Sequence, residues 1–131
     1  MTWIILVSLL ALVQYLWFGI LVSRARTRYG VLAPAITGHP MFERYYRVQV
    51  NTLELLVLLL PALAYASLYV PPLWPGLLGA VYLIGRQLYC RAYVADPPKR
   101  ELGFMLSMVP IVALLLIGIV GSILRLLRPL A

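Results

Sequence analysis

Apolar residues run almost unbroken from Trp3 to Val22, a stretch long enough to cross a bilayer as a helix. The run closes in "SRARTRYG", where Arg24, Arg26 and Arg28 mark a water-facing end and Gly30 supplies a helix stop. The first predicted helix covers about residues 2–28. It has no basic leader, so it is expected to be retained rather than cleaved as a signal peptide. After the Pro- and Gly-rich loop "VLAPAITGHP", a second helix is predicted over about 41–70. Its first two turns are polar, the rest is apolar, and Pro61 within it predicts a kink. The uncharged turn "VPPLWPG" leads into a third helix, about 73–93. Pro97 and Pro98 in "VADPPKR" end it, and a fourth follows over about 101–126, with a second kink expected at Pro110.

Composition turns four apolar helices into a membrane protein. The 131 residues are 63% hydrophobic and 11% charged, with mean hydropathy +0.95. A soluble domain carries about a quarter charged residues. The expected fold is an all-α, integral membrane four-helix bundle, multi-pass, in one domain over 1–131. The net charge of +7 would suggest nucleic acid in a soluble protein. Here nine of the eleven Lys and Arg lie at or near the 1–2 and 3–4 loops: Arg24, Arg26, Arg28, Arg44, Arg47, Arg86, Arg91, Lys99 and Arg100. The positive-inside rule then puts both long loops in the cytoplasm, and nucleic acid is not an expected partner. Cys90 is the single cysteine, which excludes an internal disulfide and a cysteine-based metal cluster; no metal is expected.

Charged residues inside these helices need a reason, because a charge at the bilayer centre costs a few kcal/mol or more. Arg44, Arg47, Asn51 and Glu54 follow spacings of three, four and three, and form one stripe on helix 2. Tyr82, Arg86, Tyr89 and Tyr93 form a second stripe on helix 3. Two stripes near the cytoplasmic end point to one shared pocket. Arg47 and Glu54 are two turns apart, too far for a close pair on a straight rod. Arg24, Arg28 and Arg91 read as topology signals or lipid-headgroup contacts, and Tyr45, Tyr46 and Trp74 as interfacial aromatics. Guanidinium forks suit carboxylates, Glu54 suits an ammonium group, and excess positive charge favours a thiolate over a thiol. The inventory defines an anionic, amine-bearing ligand and singles out no one molecule.

The segment "FERYYRVQVNTLELLVLLLPAL" (42–63) resembles the signature of the MAPEG family, membrane-associated proteins of eicosanoid and glutathione metabolism. "YLIGRQLYCRAYVADPPKR" (82–100) resembles the family's second block, and the match runs in order from about Arg26 to Arg100. The details resemble the microsomal glutathione transferase branch and its bacterial relatives. The resemblance implies a homotrimer, with glutathione as co-substrate between protomers near the cytoplasmic face. It implies that Arg47, Asn51, Glu54, Arg86, Tyr89 and Tyr93 hold glutathione, and that Arg26 and Gln49 reach a neighbour's. Gln49 lies about 160° round the helix from Arg47, which fits that division. It further implies Arg100 as the catalytic residue that stabilises the thiolate. Two positions depart from the leukotriene-synthesising members: Leu55 stands where they have tyrosine, and Thr27 where they have a second arginine.

The expected activity is a glutathione transferase acting on hydrophobic electrophiles in the membrane. A glutathione-dependent peroxidase reducing lipid hydroperoxides would use the same residues. A non-catalytic member binding lipid or a partner protein is a third reading. A small four-helix transporter is a fourth, but helix 1 offers only Gln14 where such transporters carry an acidic residue.

Overall fold

A computed structural model describes residues 1–128. Among them it shows four α-helices and no strand: α1 (Thr2–Tyr29), α2 (Pro40–Ala66), α3 (Leu73–Ala95) and α4 (Glu101–Leu126). A 3-10 turn at Pro97–Arg100 joins α3 to α4 where a plain loop was expected.

Each helix end has a local cause. Gly30 takes the left-handed conformation (φ 69°, ψ 29°), and the amides of Gly30 and Val31 both donate to the Arg26 carbonyl. α2 begins at Pro40, whose missing N–H costs nothing in a first turn. His39 caps it, its Nδ1 accepting from the Met41 amide at 3.1 Å. The His39 ring also stacks on Tyr29 at 4.3 Å, tying the two ends of the loop together.

α2 ends at Ala66, four residues short of the expected Val70. The Ser67 hydroxyl donates to the Ala64 carbonyl, and the amides of Leu68 and Tyr69 reach back only three residues, tightening the chain into turns. Pro71 and Pro72 then bar α2 from continuing, and Pro72 stands directly before the first residue of α3. α3 runs two residues beyond Tyr93, because the restriction imposed by Pro97 falls on Asp96, which is extended (φ −156°, ψ 97°). Pro61 and Pro110 both lie within continuous helices.

α2 and α3 pack together, with α1 against both on one side and α4 against both on the other. Ile4, Val7 and Ala11 of α1 join Leu56, Leu59 and Leu63 of α2 and Ile111 and Leu114 of α4 in the main core. Large apolar side chains also face outwards along the bundle, Leu16 at 64% exposed and Leu116 at 56% among them. Such a surface is far larger than water tolerates and is what lipid requires. α1, α2 and the segment Pro97–Leu126 are each long and apolar enough to cross a membrane. α3 is of similar length but carries Arg86 and Arg91, and it packs against all three other helices. The protein is an all-α integral membrane bundle.

α3 and α4 approach backbone to backbone. A methyl group on Gly103 would overlap the Tyr89 backbone, and one on Gly85 would lie 2.7 Å from the Leu106 backbone. Small residues at such crossings let membrane helices close on one another without a hydrophobic driving force. Gly103→Ala must push the helices apart and should cost about 1–3 kcal/mol or more. Gly118→Ala is the control, since its added carbon would meet only Tyr65 Cβ at 3.9 Å. Thermal unfolding in detergent should show a clear drop in Tm for the first and little change for the second.

Candidate active site

The α3–α4 contact fixes the geometry of a cleft at the end of the bundle where α2 begins and α3 ends. The cleft holds about 410 Å³ and is lined by Arg47 and Asn51 from α2, Tyr89 and Tyr93 from α3, and Arg100, Glu101 and Phe104 from the turn and α4. Tyr89 and Tyr93, one turn apart, stack at 5.5 Å, and Phe104 tilts against Tyr89 at 6.5 Å. The Arg100 guanidinium sits 5.9 Å from the Tyr93 ring centre and donates to the Pro97 carbonyl at 3.3 Å. The 3-10 turn thereby holds Arg100 on the wall of the cleft beside Tyr93.

Arg47 and Glu54 correct the expectation that they lie too far apart. Arg47 NH1 stands 3.5 Å from Glu54 Oε1. Seven residues span about 10.5 Å of helix rise, but a long arginine and a glutamate leaning back toward the N-terminus close it together. Both side chains are half exposed (51% and 52%), and such pairs contribute little net stability, so a ligand can open this one at small cost. The second carboxylate oxygen accepts from Asn51 Nδ2 at 3.2 Å. Asn51 Oδ1 is buried and has no partner among the described residues, leaving an acceptor suited to an ammonium or amide donor.

The two sequence stripes do not enter the cleft whole. Arg44 turns instead to the end of α3, where NH1 donates to the Val94 and Ala95 carbonyls at 2.9 and 3.4 Å and offsets the negative helix end. Tyr82 is fully buried in the core. Arg86 lies behind the cleft wall, not on it. It is fully buried, donates to Thr52 Oγ1 at 2.8 Å, and holds its guanidinium 4.1 Å from the Tyr89 ring centre. Thr52 in turn donates to the Val48 carbonyl at 2.7 Å. Arg86 therefore reaches the cleft only through Tyr89, as a positioning residue. Gln49 packs on the α1 side, where a methyl on Gly19 would come 3.0 Å from its Nε2. Arg26 donates to the Ala35 carbonyl and covers the Phe42 ring at 4.7 Å. Neither Gln49 nor Arg26 belongs to the cleft wall.

The MAPEG family's sequence profile matches residues 4–120. This chain belongs to the MAPEG family. It is 44% identical to an uncharacterized protein of Synechocystis sp., over 98% of this chain and 93% of that protein. It is 38% identical to human microsomal glutathione S-transferase 2, over 88% of this chain and 78% of the relative. It is also 38% identical to guinea pig (Cavia porcellus) leukotriene C4 synthase, over 72% of this chain and 63% of that protein.

Within this MAPEG protein the two departing positions have ordinary surroundings. Leu55 is buried in the main core, packed where a phenol would need a polar partner. Thr27 is exposed on α1 and back-bonds to the Ser23 carbonyl. Glu101 and Phe104 were missed by the sequence reading. Their only signal is that 101 and 104 share a helix face beginning directly after Arg100. Thr52, the Arg86 acceptor, is hidden in an apolar run. Arg86 Nε and NH1 have no partner among the described residues, so Thr52 carries the one hydrogen bond of a buried cation. Thr52→Val keeps the volume and removes the acceptor. It should lower stability by about 1–3 kcal/mol, read as a fall in Tm in detergent, whereas a Tm equal to wild type would show that the Thr52 bond carries no weight.

Proposed function

We propose that this protein is a membrane-bound glutathione transferase that joins the glutathione thiolate to hydrophobic electrophiles. The observation that carries this reading is the convergence of Arg47, Asn51, Tyr89, Tyr93 and Arg100 on one cleft at a bundle end. The names of relatives that are glutathione transferases support it.

Glutathione has two carboxylates, one ammonium and one thiol. Arg47 offers a fork to a carboxylate, exchanging its exposed pairing with Glu54 for a ligand bond. Glu54, released, takes the ammonium, with Asn51 Oδ1 beside it. Tyr89 and Tyr93 offer phenol donors on a flat apolar wall. Arg100, at the mouth, faces the sulfur. The thiol loses its proton to water, and the Arg100 guanidinium stabilises the resulting thiolate. The sulfur lone pair attacks the electrophilic carbon, a C–S bond forms, and the leaving group departs with its bonding electrons. The electrophile arrives dissolved in the bilayer, past Phe104, and both reactants are held together in place of a diffusive encounter.

In the assembled form, a homotrimer, Arg26 and Gln49 lie outside their own cleft and serve the cleft of a neighbour. The basic ends face the cytoplasm, and glutathione enters from there. The peroxidase reading uses the same thiolate on a lipid hydroperoxide, so paired assays with a chlorinated aromatic and a hydroperoxide separate the two. Arg100→Ala should lower kcat for conjugation by about a hundredfold or more, with a change below about tenfold in glutathione affinity by calorimetric titration. Unchanged turnover would remove Arg100 from its role, and absence of glutathione binding to the wild type would remove the transferase reading altogether.

A further inference from the structure

Five arginines in the described bundle are committed to partners: Arg26, Arg44, Arg47, Arg86 and Arg100. Arg24, Arg28 and Arg91 make no hydrogen bond or ion pair among the described residues, and all three border one groove. The groove lies on the side of the α2–α3 pair that α1 covers, away from the glutathione cleft. Its larger part holds about 440 Å³ between α1, α2 and α3 and includes Trp17, Leu21, Tyr45 and Cys90 together with Arg44 and Arg91. A smaller part of about 160 Å³ holds Arg24 and Arg28. Leu21 and Tyr45 wall both parts, so the two adjoin.

The groove has the polarity of an amphiphile. Four guanidinium groups border it, and no carboxylate lines either part. On α1, Trp17, Leu21, Arg24 and Arg28 follow spacings of four, three and four, a stripe distinct from that of Arg26. Along that stripe apolar Trp17 and Leu21 give way to cationic Arg24 and Arg28 toward the C-terminal end of α1. Arg24 is steered by its contact with the Trp17 ring at 5.3 Å, and Arg28 by Tyr29 at 5.5 Å. Arg44 is held rigid by the carbonyls at the end of α3. Trp17 and Tyr45 have the amphipathic rings that sit at headgroup depth.

We propose that this groove is a binding site for one anionic phospholipid. Its phosphate lies among Arg24, Arg28 and Arg91, and an acyl chain lies along Trp17, Leu21 and Val94. Charge complementarity with the unpaired arginines selects the anionic headgroup, and the apolar floor selects a lipid over a soluble phosphate. The site is independent of the transferase reading, because none of its three unpaired arginines lines the glutathione cleft.

The test is native mass spectrometry of the full chain in detergent, titrated separately with phosphatidylglycerol, phosphatidylcholine and glycerol phosphate. Phosphatidylglycerol should bind one per chain, about tenfold or more tighter than phosphatidylcholine, as juxtamembrane arginines favour anionic lipid. The triple substitution Arg24→Gln, Arg28→Gln, Arg91→Gln should abolish that preference and leave glutathione affinity unchanged. Arg125→Gln, at the other end of α4, should leave the preference intact. Should the triple variant fail to fold by circular dichroism, exposed Arg91→Gln alone carries the test, with an expected loss of about threefold or more. Equal binding of the two lipids, selectivity that survives the substitutions, or displacement of lipid by equimolar glycerol phosphate would each overturn the proposal.

Discussion

The close crossing of α3 and α4 is the constraint on which the site depends. Gly103 lies against the Tyr89 backbone, and Gly85 against Leu106. Because these helices touch without intervening side chains, the turn between them must be short, and Pro97–Arg100 fills it as a 3-10 segment. That turn carries Arg100 to the rim and starts α4 with Glu101 and Phe104 facing Tyr89. A looser crossing would move the cationic rim away from the tyrosine wall. In a bilayer, where apolar association gains little, close van der Waals contact of this kind holds the helices together.

A buried cation supports the same wall from behind. Arg86 is fully enclosed by protein, away from lipid, where a charge would be costly. Thr52 accepts its one hydrogen bond among the described residues, and the Tyr89 ring faces its guanidinium. The Tyr89 ring is thus in contact with Arg86, Tyr93 and Phe104. Arg47, which lines the cleft, and Glu54 form an exposed pair that can be exchanged for ligand contacts. A rigid aromatic back and an exchangeable ionic front would suit the charged substrate proposed for this cleft.

Much of this was legible in the sequence. Four apolar runs, the Gly30 stop and the Pro97–Pro98 break place the helices, because bilayer thickness and proline chemistry leave few alternatives. The polar stripes identify Arg47, Asn51, Tyr89 and Tyr93 because side chains that cannot face lipid must share a face. What the pattern could not carry was radial depth. Arg86 and Tyr89 follow the same spacing rule, yet one is buried behind the wall and the other forms it. Arg44 departs from its stripe because the α3 carbonyls compete for it. The Arg47–Glu54 pair was misjudged because helix rise was counted without the reach of the side chains. The end of α2 was overrun because Ser67 back-bonding is invisible to hydrophobic periodicity.

The mechanism requires that this cleft hold glutathione as its thiolate. The direct measurement is the ultraviolet absorbance of the thiolate on mixing the detergent-solubilised protein with glutathione at neutral pH, where free thiol is mostly protonated. A thiolate signal should saturate with glutathione binding in the wild type and be lost in Arg100→Ala while binding persists. Glutathione bound to the wild type without a thiolate signal, or a signal undiminished in Arg100→Ala, would contradict it.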